Sequence, residues 1–347
     1  MKIRIRNLML DIIDNCNLNC SHCYNRTVIH HPRMMSLKQI DEAASKVVAL
    51  GVERIYLTGG EPLLHPDLLN ILSFMAQKYN GVEIGLTTNG LLLSNEIMDS
   101  ICSYGNIVVQ ISIDGATAST YEKIRGKDTY QKFLKGFNVF KESKLAKKTA
   151  RTCVSAINYK EVKAIYEICH SAKIEPSFLF VTEMGNAKEN WNKLNLTDAQ
   201  KIFVVDKINA LNKLYKVNVG SPIPAYKCNF TQLLDRDVDD YGEWGLQVQT
   251  TGQTSCCQFL YDHPIGNIFA ESVEEMFKGA VFTGFLNTAK RRKEFYASTA
   301  CKGCFLQHSC GYGCIGLSIQ NGDATSFDGM CDFRRTYALF KGCNFIN

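Results

Sequence analysis

Long apolar runs are missing from this chain. In the N-terminal stretch MKIRIRNLMLDIID the longest run, Leu8 to Leu10, is broken by Asp11, too short for a signal-peptide core. No other stretch approaches the roughly 18 apolar residues of a membrane-spanning helix. Charge of one sign is scarce as well. The formal charge is only +5, with lysine and arginine scattered rather than striped, so no nucleic acid partner is indicated. Internal repeats and low-complexity segments are absent. These absences predict a cytoplasmic chain with no membrane partner. Its 347 residues, 46% apolar and 21% charged, suffice for one large domain or for a large and a small one.

Cysteine, by contrast, is abundant, with fifteen in the chain. A reducing compartment disfavours disulfides, so spaced cysteines there point to metal or redox chemistry. Cys102, Cys153, Cys169 and Cys343 lie outside any motif, and the first three read as small buried apolar side chains. The other eleven gather toward the two ends of the sequence.

Residues 1–185 alternate short apolar runs with amphipathic segments of helical length. The runs Leu8–Ile13, Arg54–Leu57, Val82–Thr87, Ile107–Ile113, Thr149–Ala156 and Pro176–Val181 read as buried parallel strands. Helices are expected over Ser36–Leu50, Pro66–Tyr79, Asn95–Ser103, Tyr130–Ser143 and Lys160–Ala172. Such a rhythm predicts an α/β fold, a partial (β/α)6 TIM-like barrel with too few units to close. Residues 186–227 read as a helical bridge, and residues 228–347 as a small cysteine-rich domain held by metal rather than by a large core.

In parallel α/β sheets the site lies at the carboxyl ends of the strands. Cys16 follows the first strand, TGGEP (Thr58 to Pro62) the second, TTNG with Asn89 the third, and SIDG (Ser112 to Gly115) ends the fourth. The segment CNLNCSHC places Cys16, Cys20 and Cys23 on one loop. Three thiolates can hold three irons of a 4Fe-4S cluster and leave the fourth open, whereas a structural zinc wants four ligands.

That motif resembles the cluster-binding loop of radical S-adenosylmethionine (radical SAM) enzymes. The resemblance implies Cys16, Cys20 and Cys23 as ligands of the radical SAM 4Fe-4S cluster, with S-adenosyl-L-methionine (AdoMet) chelating the open iron. It implies that the backbone at Gly59 and Gly60 receives the amino group of AdoMet, with Glu61 as an anionic partner. Ser112, Asp114 and Arg125 (in KIRG) would meet the ribose and carboxylate. Asn89 would be a further contact, and Tyr24 would pack on the adenine. A solvated arginine and a helix-capping loop are the plain alternatives for Arg125 and SIDG.

A second set, CKGCFLQHSCGYGC, spaces Cys301, Cys304, Cys310 and Cys314 as C-x2-C-x5-C-x3-C. A zinc knuckle is one reading of that run. With Cys228, Cys256 and Cys257 upstream and Cys331 beyond, it resembles the SPASM extension of radical SAM enzymes, which carries two auxiliary 4Fe-4S clusters. Mapped by order, Cys228, Cys257 and Cys314 would hold the first. Cys301, Cys304, Cys310 and Cys331 would hold the second. The fourth ligand of the first stays open among Cys256, Asp262 and none, and Cys256 could replace Cys257. The stretch LLDRDVDDYGEW reads as an inserted, solvated acidic loop, because the glycine and terminal glutamate of a calcium loop are absent.

The resemblance implies a radical oxidoreductase that cleaves AdoMet reductively and takes hydrogen from a substrate. A ribosomally made peptide is the leading expectation, modified by crosslinking, oxidation or epimerisation. For epimerisation, Cys153 or Cys256 could return the hydrogen atom. An aminocyclitol-type small-molecule dehydrogenase and an anaerobic sulfatase-maturating enzyme are the alternatives. The latter fits less well, with His22 before the third cysteine and Gln258 in place of an aspartate. An electron-transfer iron–sulfur or zinc protein is the non-enzyme alternative. Expected partners are a low-potential donor such as flavodoxin or ferredoxin and a separate leader-peptide-binding protein, since the first strand starts too near residue 1 for a fused one.

Overall fold

The computed structural model describes residues 2–25, 32–220, 240–298, 301–304 and 313–320, with residues 222, 306, 331, 333 and 334. Cys228, Cys310 and Cys343 lie outside these residues, as do Asp235, Asp237 and Asp239.

Six strands follow the periodicity of the sequence: β1 (Lys2–Ile13), β2 (Arg54–Gly59), β3 (Glu83–Thr88), β4 (Ile107–Ser112), β5 (Lys148–Val154) and β6 (Glu175–Phe180). All pair in parallel with their sequence neighbours. Helices α1 (Leu37–Val48), α2 (Leu68–Lys78), α3 (Asn95–Cys102), α4 (Ala118–Arg125), α5 (Tyr130–Glu142) and α6 (Val162–Ser171) make the crossovers. Each helix packs an apolar stripe on the sheet, such as Ile40, Ala43, Ala44 and Val47 of α1. Ser36 caps α1 in a reciprocal box with Gln39. Helix α4, capped by Thr117, lies in a stretch to which the sequence patterns assign no element.

The sheet extends further than the apolar runs indicate. Its order is β6-β5-β4-β3-β2-β1-β7-β8-β9, where β7 is Asp240–Val248, β8 Gln253–Ser255 and β9 Gly266–Asn267. Strand β7 runs parallel to β1 along most of its length, and β8 and β9 continue antiparallel. The two ends of this order, β6 and β9, do not pair, so the sheet is an unclosed partial barrel.

Two sequence readings are corrected here. Strand β1 begins at Lys2, before its apolar run. There Ile3 and Ile5 turn inward while Arg4 and Arg6 reach Glu53 and Glu243 on the surface. Those exposed pairs contribute little energy; the alternation itself defines the strand. The end of the supposed acidic loop is also β-structure. Trp244 on β7 is buried, with its ring edge-on to Phe277 and Phe282 of the following helices (Val273–Lys278 and Ala280–Ser298). A short polar run with one large aromatic carries too weak a periodicity to show a central strand.

After β6, helices α7 (Asn186–Glu189), α8 (Trp191–Leu194) and α9 (Asp198–Tyr215) complete the described part of the bridge. Helix α9 packs on α6, where Tyr166 stacks on Tyr215 and bonds Asn212. No helix among the described residues is long and apolar enough to cross a membrane.

Replacing Trp244 by alanine is expected to cost about 3–5 kcal/mol in urea unfolding, as for a core aromatic. A surface-loop position would cost under about 0.5 kcal/mol.

Candidate functional site

The cysteine loop leaves β1 at the carboxyl rim of the sheet and is clamped from three directions. On the β2 side, the N–H groups of Gly60 and Glu61 donate to the carbonyls of Ile13 and Asn15, at 2.7 and 2.8 Å. A Cβ at Gly60 would sit 1.9 Å from the Asn15 carbonyl oxygen, so the contact requires glycine. On the α4 side, Ser21 N–H donates to Ile124 O at 2.9 Å. From beyond β6, Asn186 N–H donates to Cys23 O at 2.8 Å, and its side-chain amide reaches Cys20 O at 3.1 Å. Asn190 adds a bond to Ser21 O at 3.4 Å.

Cys16, Cys20 and Cys23 are thereby gathered on one rim and interact electrostatically with one another. Burial pushes the Cys16 thiol up to about 11 and Cys23 up to about 12, and raises Cys20 as well, with Arg125 opposing the shift. Thiolates here therefore need a compensating positive charge, which bound iron supplies. Among the described residues, no three His, Cys, Asp or Glu side chains converge as around a single metal ion. A 4Fe-4S cluster makes a different demand, since each thiolate bonds its own iron. The loop fits that group, with three thiols within electrostatic reach of one another and, among the described residues, no fourth ligand.

Around it the expected contact residues assemble. Glu61 is buried, and its carboxylate accepts from Thr88 Oγ1 at 2.6 Å, Asn89 N–H at 2.8 Å and Leu63 N–H at 3.1 Å. Burial raises its pKa against those bonds and the pull of Arg125. With its oxygens so engaged, Glu61 ties the TGGEP strap to the TTNG turn. Asn89 donates to Asn17 Oδ1 at 2.7 Å and lies 3.9 Å from the Cys16 sulfur.

Arg125 is buried rather than solvated. Its Nε and Nη2 both donate to Asp114 Oδ2 at 2.6 Å, while Asp114 Oδ1 accepts from Cys153 N–H at 2.7 Å. His22 Nε2 stands 3.5 Å from the same Asp114 oxygen, and burial lowers its pKa to about 4, so the ring is neutral. Ser112 ends β4 on the inward face, and Tyr24 meets Tyr261 edge-on at 5.6 Å.

Sequence reasoning missed a second group in the lumen. Asp11 accepts from Gln247 Nε2 and Tyr261 OH, each at 2.7 Å, and the Tyr261 hydroxyl lies 3.3 Å from Asn25 Oδ1. Arg151 faces the same lumen from β5. The available signal was a charged residue inside an apolar strand run, at Asp11 and again at Arg151.

In the cysteine-rich extension, the helix Ile315–Gln320 after Cys314 packs against the turn Gln258–Leu260 after Cys257. The structure thus brings together the segments that carry Cys257 and Cys314. Cys256 is buried in the hydrophobic core, and Cys257 lies at its margin. Cys301, Cys304 and Cys331 are each partly exposed.

An unclosed parallel barrel with an open three-cysteine loop on its carboxyl rim defines a radical SAM domain. The sequence profile of the Radical SAM superfamily matches residues 10–181, so that stretch of the chain is a Radical SAM domain. The chain is 27% identical over 229 residues to a GTP 3′,8-cyclase of Peptoclostridium acidaminophilum, covering 65% of this chain and 69% of that one. It is 29% identical over 195 residues to an AdoMet-dependent heme synthase of Methanosarcina barkeri, covering 55% of each. In fold it is similar to anSMEcpe with bound AdoMet, with a TM-score of 0.73, 18% identity and 97% of both chains covered. It is also similar to Streptococcus suis SuiB bound to the precursor peptide SuiA, with a TM-score of 0.68, 16% identity, and 94% and 75% covered.

Burial is the largest influence on Asp11 and raises its pKa to about 7 from 3.8, against the bonds from Tyr261 and Gln247. Between those values the folded state holds more protons than the unfolded one, so stability falls as pH rises from about 4 to about 7. Asp11→Asn is expected to gain on the parent across that window, by about 4 kcal/mol at most, in denaturant titrations at stepped pH.

Proposed function

We propose that the chain is a radical SAM enzyme that modifies a peptide, with two auxiliary clusters in a SPASM-type extension. The observation that carries the reading is the convergence of Cys16, Cys20 and Cys23 with Gly60, Asn89, Ser112 and Arg125 on one rim. In this reading the three thiolates hold a 4Fe-4S cluster, and Cys228, Cys257, Cys314, Cys301, Cys304, Cys310 and Cys331 hold the auxiliary pair. When bound, the first cluster and AdoMet would supply radical chemistry for taking hydrogen from the substrate.

The chain's own residues bind and orient. The strap at Gly59 and Gly60 presents backbone to the amino group of AdoMet, and Glu61 fixes the strap and the Asn89 turn. Ser112 faces the ribose or carboxylate. Asp114 acts through Arg125, holding the guanidinium beside Cys20, and Tyr24 closes the adenine side. Unpaired buried charge near the site would be costly, so the Asp114–Arg125 pair also keeps the loop dry and ordered.

A peptide substrate is supported by fold likeness over nearly the whole chain, extension included, to SuiB, whose structure holds a precursor peptide. Likeness to anSMEcpe runs equally far, yet Gln258 replaces the aspartate expected of a sulfatase-maturating enzyme. A second reading, cyclisation of a purine nucleotide, is favoured by the identity to GTP 3′,8-cyclases, which covers less of the chain. An electron donor such as flavodoxin or ferredoxin and a separate leader-binding protein belong to the peptide reading.

Anaerobically purified protein is expected to be brown, with about twelve irons per chain, and to release 5′-deoxyadenosine with reductant. Changing Cys16, Cys20 and Cys23 together to alanine should abolish that release and spare about two thirds of the iron. A colourless protein holding zinc would overturn the reading.

A further inference from the structure

The lumen of the barrel contains a cation that the described residues leave without a counter-charge. Arg151 lies on β5, and the titratable groups that act on it electrostatically are Tyr56 on β2, Tyr24 in the cysteine loop and Cys153. Strands β2 and β5 are separated in the sheet by β3 and β4, so such neighbours meet only across the concave side. The guanidinium therefore points into the lumen. Among the described residues no carboxylate pairs with it, and its Nε is buried with no hydrogen-bond partner. The buried arginine of the rim, Arg125, is engaged by Asp114. Asp11, the lumen's own acid, is held by Gln247 and Tyr261 instead.

A half-buried arginine whose Nε is shielded from water and lacks a partner is costly, and such groups are retained where a ligand completes them. Burial pulls the guanidinium below its ordinary value, which an approaching anion would reverse. The flanking ladder is suited to an anion as well. Arg151 pairs in register with Ser112 on β4 and Ser177 on β6, so both hydroxyls share its face. Ser112 is the residue assigned above to AdoMet, so Arg151 borders the place where hydrogen abstraction would occur. Gly85 makes room for the Tyr56 ring, which a Cβ there would meet at 2.2 Å.

We propose that Arg151, with Ser177, forms a substrate subsite for a single carboxylate, carried by an acidic side chain of the peptide. One planar guanidinium between hydroxyls matches a singly charged, planar anion. A nucleotide triphosphate would call for several cations, whereas Arg54, which shares this face two positions before Tyr56, is already paired with Glu83. The inference rests on the peptide reading above, but its test reads binding and needs no radical turnover.

The probes are acetyl-Ala-Glu-Ala-amide, its glutamine counterpart, GTP and AdoMet, titrated calorimetrically and anaerobically into the cluster-loaded protein. The parent is expected to prefer the glutamate peptide by about tenfold, and Arg151→Gln to abolish that preference. Arg151→Lys should keep part of it, and AdoMet affinity should stay within about twofold in both variants. Parallel loss of AdoMet affinity would reassign Arg151 to the cofactor and overturn the proposal. So would tight GTP binding that depends on Arg151, or the absence of any glutamate preference in the parent. AdoMet binding and 5′-deoxyadenosine release by the parent, measured alongside, report separately on the radical SAM reading.

Discussion

The site depends on one buried ion pair. Asp114 and Arg125 meet at 2.6 Å with the carboxylate wholly shielded from solvent. Each partner answers a different structural need. Asp114 accepts from the backbone of β5 and so fixes the splay of β4 and β5 where the polar rim begins. Arg125, at the carboxyl end of α4, stands beside Cys20, while the preceding residue's carbonyl accepts from Ser21. Removing either partner would strand a charge in a low-dielectric pocket, typically a loss of about 3–5 kcal/mol. The pair thus couples the sheet, a helix end and the cysteine loop.

The lumen behind this rim is unusually polar for a parallel barrel, whose interior is ordinarily packed with branched apolar side chains. Asp11 faces Thr58 in register, Thr87 faces Gln110, and Gln110 faces Thr149. The apolar core lies instead between the sheet and the outer helices, where Ile40, Val47, Ile71 and Ile165 are completely buried. Such a division leaves the concave side free to bind ligands while the convex side carries stability. It also explains why the charges that matter sit within strands: the outward neighbours of Asp11 and Arg151 supply the burial energy.

Much of the frame was legible in the sequence. Six strands and five helices follow from apolar runs and amphipathic spacing, because in a parallel sheet burial on both faces writes an almost continuous signal. Cys16, Cys20 and Cys23 stood out as three thiols on one loop, and the structure gathers them on one rim. Strand β7 was not, because Gly242, Glu243 and Gly245 dilute its pattern and its burial comes from the distant helices around Phe277 and Phe282. Arg125 showed the limit of reading residues singly: its burial is decided by Asp114, eleven positions earlier, through a fold contact that no local pattern encodes. Arg151 and Asp11 were visible only as interruptions.

The clamp from beyond β6 has a consequence for assembly. Asn186 and Asn190 grip the cysteine loop from more than 160 positions away in sequence, and Gly185 approaches so closely that a side chain there would strike the carbonyls of Cys23 and Tyr24. During synthesis the three thiols emerge long before the residues that fasten them. Until the sixth strand docks, the nascent loop has its cysteines but not its shape, so in the reading proposed above a cluster would enter only after the partial barrel is complete.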